Sequence, residues 1–252
     1  MAFLIGGANS AAADTGFDVD NSCRFNRGDS PDLAKSIGSN GSLVAWTYNV
    51  WVKIGVLGFA PLLWNYHSSG SQKLTWNSDG TIHFYNMRAG ESPQEPELIT
   101  SAKYRDPSAW YNIHAVWDSA NGTAGDRARL YVNGTRVTAF GTASNPQEDS
   151  EGGMLNYDTG ATEINISTKP YGSAAFWDGY MASAILCDGQ TYEPTKFGEF
   201  DEDSPTIWKP IDPEAQSLNF GTHGFWLDFQ ASDNLGNDAN GGTDFTETNI
   251  AA

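Results

Sequence analysis

Leu43-Val44-Ala45-Trp46-Thr47-Tyr48-Asn49-Val50-Trp51-Val52-Lys53-Ile54 alternates two kinds of side chain. Val44, Trp46, Tyr48, Val50, Val52 and Ile54 share one face, which is wholly apolar. Leu43, Ala45, Thr47, Asn49, Trp51 and Lys53 share the other, which is mixed. A period of two is that of a β-strand, and an all-apolar face must pack against another layer. Trp110 to Asp118 repeats the device, with Tyr111, Ile113, Ala115 and Trp117 on one face. Phe176 to Cys187 is a third run; its small residues Gly179, Ala182, Ser183 and Ala184 suggest close approach by another sheet or chain.

Turn residues join such runs. Asn133-Gly134 inside Arg129 to Val137 calls for a type I′ turn, which sets Leu130 opposite Val137 and Val132 opposite Thr135. Around Ser78-Asp79-Gly80, a three-residue loop with Gly80 left-handed sets Trp76 opposite Ile82 and Leu74 opposite Phe84. That register separates apolar from polar side chains, whereas a two-residue loop does not. Amphipathic helices longer than about three turns are absent, and Asp32 to Ile37 is expected to form one helical turn. Many short strands with Gly, Asn and Asp turns define an all-β chain, a two-sheet antiparallel jelly-roll sandwich. Its core should hold Trp46, Tyr48, Val50, Val52, Ile113, Ala115, Leu130 and Val132.

The 252 residues can bury a sizeable core without staples. Nine Trp, 10 Tyr and 13 Phe argue against disorder. With 14 Lys plus Arg against 31 Asp plus Glu, the net charge of −17 disfavours nucleic acid and anionic membrane surfaces as partners. The opening Met1-Ala2-Phe3-Leu4-Ile5 lacks a basic flank and a long apolar run, so export through a signal peptide is not expected. Cys23 and Cys187 cannot build a disulfide framework, and two buried thiols are favoured over a single bridge.

Composition divides the chain into an arm over 1–21, the jelly roll over 22–190, a Pro-rich acidic connector over 191–217 and, over 218–252, a C-terminal extension or the start of a second module. Phe197, Phe200, Ile207 and Trp208 should pack the connector. The extension crowds Phe220, Phe225, Trp226, Leu227 and Phe229 together, so it must pair with the jelly-roll edge, a following module or another copy, and contacts of the arm and extension with a module or copy are expected over fold-back onto the chain's own domain.

Trp46 to Lys53, Trp110 to Asp118 and Leu130 to Val137 resemble, in order and spacing, three strands of laminin-G-like, concanavalin A-type jelly rolls. More narrowly, Ala8 to Ala12 followed by Ser22 to Asn26, then Tyr192 to Thr195 and Phe220 to Phe225, are similar to virion-surface and tail-fibre proteins of marine bacteriophages. The resemblance implies a non-enzymatic virion protein, a tail-fibre or receptor-binding component whose lectin-like domain meets host surface glycans. It also implies a virion-surface location and assembly with other virion proteins and with copies of itself, a trimer by default. Lectins, hydrolases and purely structural domains share this fold, so an architectural capsid or tail decoration and a glycan depolymerase are the rival readings.

No catalytic residues are assigned. The nearest string to a hydrolase carboxylate motif, Glu199-Phe200-Asp201-Glu202-Asp203, lacks its final Glu and lies in the connector. Sugar recognition needs exposed rings beside amide and carboxylate groups, and Trp64, Tyr66, Tyr171, Trp177 and Asp178 are the candidates, each near a strand end. No cofactor is assigned. Calcium is the one ion the fold suggests, at Asp118, Asn121 and Asp126 or at Asp158 and Glu163, with ordinary Asx-turns the favoured reading of both.

Overall fold

The computed structural model describes residues 17–67, 70–88, 96–157, 162–169 and 175–250. In chain order the strands begin with β1 (Cys23–Phe25), β2 (Asp32–Ile37), β3 (Ala45–Ile54), β4 (Ala60–His67), β5 (Gly70–Trp76) and β6 (Ile82–Arg88). They continue with β7 (Glu97–Thr100), β8 (Trp110–Asp118), β9 (Ala128–Val132), β10 (Thr135–Arg136), β11 (Phe140–Ser144) and β12 (Thr162–Ile166). The last are β13 (Gly179–Asp188), β14 (Gly198–Phe200), β15 (Trp208–Pro210), β16 (Phe225–Leu227) and β17 (Thr246–Thr248). One sheet runs β1-β13-β3-β8-β9-β10, with β16 also on β13, and the facing sheet runs β11-β7-β6-β5-β4-β12-β2-β17. Every pairing within the two sheets is antiparallel, so the chain is the expected jelly-roll sandwich.

The alternation in β3 sets the core. Trp46, Tyr48, Val50, Val52 and Ile54 point between the sheets, where Ile113, Ala115, Leu130 and Val132 join them, all buried. Trp46 meets Phe84 at 5.5 Å and Trp76 meets Trp177 at 5.8 Å, both tilted in the way ring quadrupoles favour. One inward polar group serves two donors: Gln72 Oε1 accepts from Trp46 Nε1 at 3.1 Å and from the Met154 amide at 2.9 Å. Both hairpins take the registers expected of them. Leu74 faces Phe84 and Trp76 faces Ile82. Val132 faces Thr135, the Val137 amide donates to the Leu130 carbonyl at 2.8 Å, and Asn133 and Gly134 have φ of 48° and 70°, as type I′ demands.

Three expectations change. Asp32 to Ile37 is strand β2, not a helical turn, and it pairs with both β12 and β17. Lys35 occupies an inward position between Leu33 and Ile37, which disguises the alternation. Its ammonium is neutralised by Asp238 at 3.1 Å and lies over the Phe225 and Phe245 rings. The extension, expected to reach another module or copy, returns to its own sandwich. There β16 pairs with β13, β17 pairs with β2, and Phe225, Leu227, Phe229, Leu235 and Phe245 are core residues. These rings fill the end of the sandwich that Lys35 borders, and the strand edges satisfy their backbone. In the connector, Phe197 and Trp208 are buried as expected, but Phe200 and Ile207 are exposed. The arm lies outside the described residues up to residue 16.

Candidate functional site

The mixed face of β3 decides where a ligand can sit. Strand parity sends Thr47, Asn49, Trp51 and Lys53 outward, beside Trp110, Asn112 and His114 of β8. The connector covers most of this face. Thr47 Oγ1 donates to the Gln190 carbonyl and accepts from the Tyr192 amide, both at 2.8 Å, and His114 Nε2 lies 3.0 Å from the Tyr192 carbonyl. The β14–β15 hairpin then lays Trp208 on the face. Its indole packs with Trp51, Ala182 and Val19, and its Nε1 donates to Asn112 Oδ1 at 3.2 Å.

Beyond this cover lies a pocket of about 310 Å³, lined by Trp51, Trp110 and Trp208 together with Asp20, Asn21, Ser22 and Lys209. That volume is at the lower end of the roughly 300–1,000 Å³ usual for ligand pockets. Trp51 and Trp208 are buried walls, whereas Trp110, the first residue of β8, is 37% exposed. The Lys209 ammonium is tethered by Glu199 at 3.5 Å and Asp201 at 3.6 Å. The acidic string of the connector therefore holds a cation at the pocket rim. Three indoles beside a carboxylate, an amide, a hydroxyl and an ammonium can stack on the C–H face of a pyranose and bond its hydroxyls.

Of the residues singled out by sequence, Trp64, Trp177 and Asp178 do not line this pocket. Trp177 is 2% exposed in the core against Trp76, so it offers no ring face. Asp178 is tied to Arg24 at 2.9 Å and receives the Arg27 amide. Trp64 lies on the outer side of the other sheet, 6% exposed, with the Lys73 ammonium 4.9 Å from its ring centroid. That cation, which also stands 4.6 Å from the Tyr85 ring, occupies the place a sugar would take. Tyr171 lies outside the described residues, as does the side chain of Tyr66. Trp51 was the legible clue to the actual pocket, a large apolar ring on a polar face. Trp208 gave none, because only the fold brings it there.

The outer side of the second sheet is a polar surface with shifted groups. Burial, and then the neighbouring Lys73 charge, push His83 down to about 4. Burial, and then Glu163, push Asp32 up to about 7. Lys73 is itself lowered by burial and by Lys169. Of the positions considered for calcium, Asp118 pairs with Arg129 at 3.4 Å and Asp126 with Arg136 at 2.6 Å, while Asp158 lies outside the described residues. Among the described residues no three His, Cys, Asp or Glu side chains gather as they would around a metal ion.

Two antiparallel sheets packed face to face, with an aromatic pocket on one outer face, define an antiparallel jelly-roll β-protein. The chain belongs to the concanavalin A-like lectin/glucanases superfamily, whose family model matches residues 29–185. No curated protein matches its sequence. Among solved structures it is similar to a native heptameric SAP-like pentraxin from Limulus polyphemus, at 15% identity and a TM-score of 0.49 over 71% of this chain and 81% of that one. It is also similar to domains LG4-5 of the mouse laminin alpha1 chain, at 13% identity and a TM-score of 0.43 over 68% of this chain and 44% of that one. A third is the CBM40 of a Ruminococcus gnavus IT-sialidase, bound to alpha2,3 sialyllactose, at 14% identity and a TM-score of 0.41 over 59% and 89%.

Proposed function

We propose that the chain is a non-enzymatic glycan-binding module that takes a sugar ring into the pocket formed by Trp51, Trp110 and Trp208. The observation that carries this reading is the exposed Trp110 ring beside two buried indoles, with polar groups of several kinds on the same rim. Stacking supplies affinity and the polar rim supplies orientation. No general acid is assigned there: among the described residues the only carboxylate lining this pocket is Asp20, whereas glycoside hydrolysis ordinarily needs a pair. We place the module on a bacteriophage virion, as a tail-fibre or receptor-binding component that meets host surface glycans and assembles with copies of itself. The motif similarity of Ser22 to Asn26, Tyr192 to Thr195 and Phe220 to Phe225 supports that placement, and the net charge of −17 suits a protein kept off nucleic acid.

A glycan array probed with the full chain tests the binding, followed by incubation of each bound glycan and chromatography of the products. Selective binding without cleavage is expected. Failure to bind any glycan would overturn the reading, and cleavage lost on replacing a carboxylate would replace it with hydrolysis. Antibody labelling of imaged virions tests the placement, with surface label expected and its absence contrary.

A further inference from the structure

Strand register lays one row of side chains across the outer face beside the tryptophan pocket. Arg24 of β1 stands opposite Tyr180 of β13, Tyr180 opposite Lys53 of β3, and Lys53 opposite Trp110 of β8. All four point outward, because their chain neighbours Phe25, Met181, Val52 and Tyr111 point into the core. The row therefore alternates cation and ring, and it joins the pocket at Trp110. Both rings are open to solvent, Tyr180 at 40% and Trp110 at 37%. No carboxylate belongs to the row, in a chain whose net charge is −17.

The two cations are not equivalent. Arg24 is spent: it donates to Asp178 Oδ1 at 2.9 Å and to the Gly179 carbonyl at 3.2 Å. Its guanidinium lies 5.4 Å from the Tyr180 ring centroid, so it braces one side of that ring while the residue stays exposed. Lys53 is uncommitted. Half-buried in the row between the two aromatic residues, it makes no ion pair and no side-chain hydrogen bond among the described residues. Its charge reaches Asp106 only from beyond ion-pair distance, and Asp106 is already bonded to the Ser108 amide and hydroxyl at 2.8 and 2.6 Å. A half-buried ammonium without a counter-charge, on a protein this acidic, is complementary to an anion brought by a ligand.

We infer that this row is a second subsite, and that the ligand is a linear oligosaccharide with an acidic sugar whose carboxylate meets Lys53 while flanking sugars stack on Trp110 and Tyr180. This deepens the glycan reading and rests on it. Neighbouring strands lie about 4.8 Å apart, so β8 and β13, with β3 between them, are separated by about 10 Å. That span exceeds one pyranose ring and suits successive sugars of one chain running across the strands. A stacked sugar spends its C–H face on the ring and leaves the substituents at its edge free for an ammonium. An acidic peptide supplies the charge but no flat C–H faces on either side of it. A nucleic acid strand supplies charge and flat rings, but it brings a phosphate at every unit against a net charge of −17.

Isothermal titration of the full chain at pH 7 tests this with three tetrasaccharides that alternate acidic and neutral sugars: glucuronate with N-acetylglucosamine, glucuronate with N-acetylgalactosamine, and galacturonate with rhamnose. Each is compared with its carboxyl-reduced form, in which every uronate has become a neutral hexose. At least one should bind at least fivefold more tightly than its reduced form. Lys53→Met should abolish that preference and leave the reduced form's affinity unchanged, and Lys53→Arg should keep it. Tyr180→Ala should weaken both forms at least threefold. Lys169→Met, which removes a cation near Lys73 on the other sheet, should leave the preference intact. Equal affinity within every pair overturns the assignment, as does a preference that survives Lys53→Met or is lost in Lys53→Arg or Lys169→Met. Full affinity in Tyr180→Ala overturns it too. Oligothymidylate binding as tightly as the best tetrasaccharide overturns it in favour of nucleic acid. If no tetrasaccharide binds while other glycans do, the acidic-sugar assignment falls and the glycan reading stands.

Discussion

Trp208 and Asn112, 96 residues apart, are joined by an indole N–H donating to Oδ1 at 3.2 Å, and this bond fixes one wall of the tryptophan pocket. Asn112 is in turn oriented by its own Nδ2, which donates to Asn49 Oδ1 at 3.0 Å. All three residues are buried, so the chain of bonds is shielded from water. Replacing Asn112 with alanine leaves an indole donor and an amide acceptor unmatched, at a cost of about 1–3 kcal/mol. Urea denaturation should show a lower midpoint for Asn112→Ala, and an unchanged midpoint would mean that the connector is held by packing alone.

Gly134 couples the β9–β10 turn to the same wall. Its φ is 70°, and a Cβ placed there would run into the Trp208 ring. Gly134→Val therefore combines a β-branched residue at positive φ, worth on the order of 1–3 kcal/mol, with displacement of Trp208. Stability should fall, and tryptophan fluorescence of the folded variant should shift as the indole moves toward water. A variant with the parent's midpoint and emission would contradict both parts.

The sandwich was readable because its signals are local. Alternation in β3 and β8, and the turns at Gly80 and Gly134, set registers within a few residues of each other. The candidate site was not local. Trp51 and Trp110 lie on neighbouring strands, but the third indole and the 19–22 segment reach them from opposite ends of the chain. Trp177 shows the converse error. It sits next to a strand end, where rings are often exposed, yet it is buried in the core against Trp76. Lys35 hid a strand because its partner, Asp238, is 203 residues away.

Asp32 and His83 should give stability opposing dependences on pH. Asp32 has a folded value near 7 against an ordinary 3.8, so the folded state holds the extra proton between these limits. Its contribution is favourable at low pH and fades as pH rises from about 4 to 7. His83, held near 4 against an ordinary 6.5, acts in reverse, losing stability as pH falls through that window. Asp32→Asn should therefore stabilise the protein at pH 8 by on the order of 1–2 kcal/mol, allowing for partial exposure, and by far less at pH 4. Melting curves at the two pH values check this, and equal effects at both would contradict it.

Cys23 and Cys187 should be inert until the chain unfolds. Both are free and buried on opposite sides of the same sheet, Cys23 in the main core and Cys187 against Phe197 under the connector. Cys23 faces Met181 of β13, the strand that contains Cys187, so about six strand residues or roughly 20 Å separate them, too far for a bridge. Burial pushes each thiol up to about 12, with Glu247 adding to the effect at Cys23. A thiol reagent at pH 8 should label neither in the native protein and both in guanidinium. Rapid native labelling of either would show that its cover opens.

Trp110 carries the central claim, because it is the one indole of the pocket that solvent reaches freely and its removal leaves the core intact. Titration of the full chain and of Trp110→Ala with the best glycan from the array measures that claim. Loss of a stacking ring worth about 0.5–1.5 kcal/mol beyond its contact area, together with that area, predicts an affinity drop of at least tenfold with melting temperature nearly unchanged. An affinity equal to the parent's would place the glycan elsewhere on the molecule and contradict the account.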